Sequence, residues 1–221
     1  GTLAERFQVM ILNLSSYRSL TGYFLGAFLA FATLPALAGV EEGSEKFVRS
    51  LADKAVHSLT TADTPRLERI KRFRELFRES FAVTSVGKFV LGRNWRRASD
   101  DEKKEYLTLF EDLMVVTYVD RFQRYAGEAL KVTKSRAEND NIATVFSEIQ
   151  RPGGIKPIRV DWRIGTNGTI YKILDVIVEG TSMSNTLRSD FGSIVRRQGG
   201  KVAGLITALR EKTEALKAEA Q

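Results

Sequence analysis

Residues 157–179, PIRVDWRIGTNGTIYKILDVIVE, constrain the fold more than any other stretch. Ile158, Val160, Trp162 and Ile164 alternate with Arg159, Asp161 and Arg163, the period of a strand with one wet face. Thr166-Asn167-Gly168 follows and is a hairpin signal. The returning segment is apolar at Ile170, Leu174, Val176 and Val178 on one face and mixed on the other. Two more strands are predicted at 129–137 and 141–150, parted by the polar Asn139-Asp140-Asn141. The turn Arg151-Pro152-Gly153-Gly154 leads into the first hairpin strand. The result is an antiparallel meander of four strands.

On both sides of this region the period is helical. Residues 44–61 read as a helix, and Asp63 or Thr64 can cap the next one, with Pro65 in its first turn. Leu67, Ile70, Phe73, Phe77 and Phe81 then form one apolar stripe among many arginines. Such a helix suits a membrane surface or a solvated outer face. Residues 83–91 are a short apolar segment closed by Gly92, and Ser99 to Glu102 form a capping box. The helix that follows runs to Tyr125 and is apolar well beyond one stripe, so it is expected at the centre, packed on the sheet and the earlier helices. Helices are expected again over about 181–218. The class is α+β, with a helical part at 44–126, a sheet at 129–179 and C-terminal helices.

Residues 20–34 carry no charge, Arg18 precedes them, and Pro35-Ala36-Leu37-Ala38 follows. This is the order of a secretory signal peptide, which predicts a leader over 1–38 and a single domain over 39–221. The apolar run is short for a membrane span of about 20 residues. The leader holds Arg6, Arg18 and Glu5, so the remainder carries +6 of the chain's +7. An exported basic protein points to anionic lipid headgroups or an acidic docking partner, and away from nucleic acid.

The chain has no cysteine and one histidine, His57. Thiolate metal sites, disulfides and cysteine nucleophiles are excluded, and no metal site is expected. Asp175 and Glu179 would share a strand face about 13 Å apart, too far for a carboxylate dyad. Ser182 and Ser184 have no base nearby in sequence, and no nucleophile elbow, zinc-protease or phosphate-loop motif occurs. No catalytic residue and no cofactor are expected. A sheet with one apolar face and helices across it can enclose an apolar cavity, filled by side chains or by a ligand.

Several segments in order carry a resemblance: Phe73-Arg74-Glu75-Leu76, Phe89 through Arg96, Phe110 through Tyr118, Val160-Asp161-Trp162-Arg163, and Asp175, Val178-Glu179-Gly180, Ser182, Arg188 and Phe191. In these the chain resembles the MlaC or toluene-tolerance family of periplasmic phospholipid-binding proteins over about 45–212. The family usually has a small apolar residue after the glycine, where this chain has Thr181. The resemblance implies an NTF2-like curved sheet with a helical subdomain around a pocket for acyl chains. It implies a soluble shuttle between an outer-membrane lipoprotein–porin complex and an inner-membrane ABC transporter with an MCE-domain subunit. A related branch is linked to hopanoids, so the bound lipid, the only ligand expected, is a phospholipid or a hopanoid.

On this reading the apolar periodicity nominates a pocket lining. The sheet would supply Val160, Trp162, Ile164, Val176 and Val178, and the helices Phe89, Val90, Phe110, Met114, Tyr118, Met183, Phe191 and Ile194. Asp175, Glu179, Gly180 and Arg188 would form the strand-to-helix joint, with Arg188 paired to Asp175 or Glu179. The competing readings are a hydrolase on the same scaffold that uses Asp175 or Glu179, and an interaction module held to the membrane by an uncleaved leader.

Overall fold

The computed structural model describes residues 35–59, 63–125 and 128–218. Residues 1–34 of the leader expected over 1–38 lie outside them, and no described helix is long and apolar enough to cross a membrane. Among the described residues six α-helices and five strands follow in the order α1 (Pro35–Leu59), α2 (Arg66–Ser80), α3 (Val83–Leu91), α4 (Asp100–Tyr125), β1 (Leu130–Asn139), β2 (Ile142–Ile149), β3 (Ile158–Thr166), β4 (Tyr171–Val178), β5 (Thr181–Ser182), α5 (Met183–Arg197) and α6 (Val202–Ala218). The expected α+β class holds.

The sheet is an antiparallel meander in the order β1-β2-β3-β4-β5, one short strand more than the expected four. Across the inner face, Ser147 pairs with Val160, Val145 with Trp162 and Ala143 with Ile164. Val178 lies opposite Val160 and Val176 opposite Trp162. Between Arg163 and Ile164 the register slips: Arg163 faces Asp175, but Ile164 faces Ile173. Leu174 is therefore the extra residue of a β-bulge. This corrects the expected face of β4, because Ile173, not Leu174, joins Val176 and Val178. Leu174 lies instead against Gly165, where an added Cβ would approach it to 3.0 Å.

α1, not α4, covers the inner face. Its Val48 meets Val132, Val145, Ile164 and Ile173 in one buried cluster, with Phe47, Leu51, Trp162, Tyr171 and Val176 at its margins. Gly43 is required here, because a Cβ would collide with the Tyr171 hydroxyl. Glu41 and Glu45 fasten α1 to the β1 edge by accepting from the Ala137 N–H at 2.7 Å and the Ser135 hydroxyl at 2.8 Å.

α4 is the centre of a second, helical core. It packs chiefly on α6, with α2 and α3 on other sides. Val90, Leu91, Tyr106, Phe110, Leu113, Met114, Phe191, Val195, Leu205 and Leu209 are buried together here. The capping box forms as expected: the Glu102 N–H donates to the Ser99 hydroxyl, and the Ser99 N–H to the Glu102 carboxylate at 2.8 Å. At α2 the expectation fails by one residue, since Pro65 itself occupies the N-cap. The two cores are bridged at the β4 edge, where Phe81 pairs with Ile173 and the Ala82 N–H donates to the Ile173 carbonyl at 3.0 Å.

Candidate functional site

The joint that ends the sheet is built from a few polar atoms. Glu179 and Gly180 have φ of 49° and 83°, the pair of positive values of a two-residue hairpin turn. The turn folds β5 back onto β4, with Val178 opposite Thr181 and Ile177 opposite Ser182. Ser182 is the N-cap of α5 and accepts from the Asn185 N–H at 3.1 Å. Its hydroxyl donates to Asp175, which also accepts from the Ser184 N–H at 3.0 Å. The Glu179 carboxylate accepts from the Arg159 N–H at 2.6 Å. Asp175 lies within the strand and Glu179 in the turn, so they do not form a pair. The Ser182 hydroxyl is engaged on both sides as a cap, and His57 lies exposed in the last turn of α1.

Arg188 makes neither of the expected ion pairs. Its guanidinium lies 4.8 Å from the centre of the Phe89 ring and donates to the Phe89 carbonyl at 3.2 Å. It also fills the space beside Gly92, where φ is 60° and a Cβ would come within 3.2 Å of it. Arg188 therefore ties α5 to the end of α3, not to the sheet. Helical periodicity could not show this, because the partner is 99 residues away in sequence.

The nominated lining residues divide into three groups, with Phe89 outside all of them. Ile164, Trp162 and Val176 belong to the cluster under α1. Val90, Phe110, Met114, Tyr118, Phe191 and Ile194 belong to the helical core. Val160, Val178 and Met183 belong to neither core and follow one another at the end of the sheet that leads into α5. Phe89 is 44% exposed. The Trp162 indole N–H donates to the Ser147 hydroxyl at 2.9 Å, and that hydroxyl donates to the Val160 carbonyl at 2.6 Å. This chain of bonds keeps the one polar atom of the tryptophan satisfied at an apolar face.

Sequence periodicity missed a cleft of about 650 Å³ between α2, α3 and α4. Phe81, Val83 and Leu107 contribute apolar surface to it, and Arg74, Arg78, Glu111 and Asp112 contribute charge. Arg74 reaches Glu111 at 2.8 Å and Asp112 at 2.7 Å, and Arg78 reaches Glu111 at 2.8 Å. Burial works against the Glu111 charge, but hydrogen bonds from Arg78 and Arg74 outweigh it and hold its pKa below the usual carboxylate range. The basic face of α2 is thus largely spent on α4: Arg66 and Arg69 also pair with Asp120. Alternating positive and negative residues on two different helices were the available signal.

On the outer face of the sheet, Arg163 holds Glu138 through two nitrogens at 3.1 and 2.9 Å. The Arg163 hydrogen bond keeps the Glu138 carboxyl below its ordinary range, against the effect of burial. Asp161 is 7% exposed, between Phe146 on one side and Ile177 on the other. Burial pushes its carboxyl up, and Arg159 at 3.6 Å only partly offsets this. Among the described residues, no cluster of His, Cys, Asp and Glu could hold a metal ion.

An antiparallel meander with a bulged last long strand, one covering helix and a helical core joined at its edge defines the class of protein. Residues 49–211 match the family described as MlaC protein, and the chain belongs to that family. It is 22% identical over 129 residues to the intermembrane phospholipid transport system binding protein MlaC of Haemophilus influenzae, a stretch that covers 57% of this chain and 59% of that relative. The chain thus spans about three-fifths of that relative's length. The fold is similar to that of the phospholipid-binding protein of Ralstonia solanacearum, solved in complex with a phospholipid, with a TM-score of 0.67 and 20% identity. That likeness covers 78% of this chain and 97% of the other.

Proposed function

We propose that this protein is a periplasmic lipid carrier that takes up phospholipid and hands it between membranes. The observation that carries this reading is the family match over residues 49–211. The names of the two relatives point the same way, one a phospholipid transport binding protein and the other solved with phospholipid bound. Acyl chains would lie between the two apolar cores, with Val160, Val178 and Met183 at the seam. Trp162 and Val176 would flank them from the sheet, and Met114 and Phe191 from the helices.

Such a role follows from the physics of lipid. Each buried methylene is worth about 0.8 kcal/mol, so exposing a sixteen-carbon chain to water costs on the order of 12 kcal/mol. A carrier whose interior is as apolar as a bilayer brings exchange near balance. Partners then decide direction: an inner-membrane ABC transporter with an MCE-domain subunit and an outer-membrane lipoprotein–porin complex. Transfer of this kind needs no catalytic residue. The test is mass spectrometry of lipid extracted from the purified protein, followed by uptake from vesicles after stripping. Phospholipid or hopanoid at a fixed ratio to protein is the expected result. A stripped protein that takes up neither would overturn the reading.

A further inference from the structure

The end of α3 and the turn after it carry a surface that cargo binding does not use. Lys88, Arg93, Arg96, Arg97 and Arg188 are all exposed, and none forms an ion pair among the described residues. The contrast with α2 is sharp, because Arg66, Arg69, Arg72, Arg74 and Arg78 there are all paired with carboxylates. Within the cationic surface sit two aromatic rings. Phe89 is 44% exposed, with the Arg188 guanidinium over its ring. Trp95 is half-buried against the helical core, with the Lys88 and Lys103 ammonium groups each 5.7 Å from its ring centre.

We propose that this Phe89-centred basic surface docks the protein onto an anionic lipid bilayer. Charge complementarity selects the occupant. Apart from Arg188, which is held by the Phe89 carbonyl, these cations make no side-chain hydrogen bond among the described residues and match a fluid layer of phosphate headgroups, whereas a folded acidic protein would demand set positions. An apolar ring left exposed among those cations can enter the acyl boundary, and an indole beside lysines suits headgroup depth. The cleft between α2, α3 and α4 is lined by other residues, so docking leaves it open. The inference goes beyond the cargo reading and does not depend on it.

The test is flotation of lipid-stripped protein with phosphatidylcholine vesicles, with and without phosphatidylglycerol. Binding is expected only to the anionic vesicles and to weaken about thirtyfold in Arg96→Gln/Arg97→Gln, which removes two surface cations. Phe89→Ala should weaken binding to the anionic vesicles, and Phe89→Leu, which keeps an apolar side chain there, should restore most of it. Lys71→Gln/Lys156→Gln removes the same charge elsewhere and should change binding less than about twofold. Failure of the unaltered protein to float, equal binding to neutral vesicles, or equal loss in the two double variants would overturn the proposal. Lipid extraction measures cargo and flotation of stripped protein measures docking, so either idea can fail alone.

Discussion

Asp175 and Ser182 are bound through the serine hydroxyl, across the turn that joins the last long strand to α5. The same carboxylate accepts from the Ser184 N–H, so one side chain fixes both the strand end and the first turn of the helix. Asp175→Ala leaves these donors without a partner and should cost about 2–3 kcal/mol of unfolding free energy in urea titration. Asp175→Asn keeps an acceptor and should cost less. Equal losses in the two variants would argue against the joint.

Acid should unfold the protein partly through Glu138 and Glu111. Both have folded pKa values below the ordinary range, so their contribution is present above that range and is lost as pH falls through the folded values. Glu138→Gln and Glu111→Gln should each flatten the acid limb of a stability profile. Asp161 has the opposite sign. Its carboxyl is pushed up, so ionisation costs stability as pH rises from the ordinary range through the folded value. Asp161→Asn should match or exceed the native protein at neutral pH and lose that advantage in acid. Urea midpoints measured across the acid range would show both trends, and a constant gap for Asp161→Asn would contradict this assignment.

Gly180 has φ of 83°, and an added Cβ would lie 3.2 Å from the Arg159 guanidinium. Gly180→Ala should therefore cost about 1–2 kcal/mol, because an L side chain resists this backbone conformation. Calorimetry should show a lower melting temperature.

The seam and the core should respond differently. Ile164 is fully buried under α1, and Ile164→Ala should cost about 2–5 kcal/mol. Val178, opposite Val160 at the end of the sheet, is where the proposed acyl chains would lie, and a bulkier Val178→Phe should lower the lipid recovered per protein with little loss of stability. If lipid content is unchanged while stability collapses, the acyl chains do not lie there.

Much of the fold could be read from local rules. The hairpin at Thr166-Asn167-Gly168, the Ser99–Glu102 box and the stop at Gly92 each depend on residues a few positions apart. What could not be read depends on distance or on a broken period. α1 and α4 are both apolar enough to cover a sheet, and nothing local says which one does. Arg188 has two carboxylates close in sequence, yet its side chain settles on Phe89 from another helix. Of the thirteen nominated lining residues six are buried, six half-buried and Phe89 exposed, because periodicity reports which face turns inward and not which of two cores receives a residue or how fully it is covered.

The bulge at Leu174 bears on how this chain tolerates insertion and deletion. Losing almost any single residue from a central strand exchanges inside for outside along everything beyond it. Here Ile173 and Val176 both face inward with two residues between them. Excising Leu174 alone leaves Ile173, Asp175 and Val176 in strict alternation, with each side chain on the face it already occupies. β4 thus carries a bulge from which one residue can be removed without turning the strand over, while the loss of Ile177 would swing Val178 to the outer face, and the loss of Asp175, though it keeps the alternation, would remove the acceptor that holds Ser182 and Ser184.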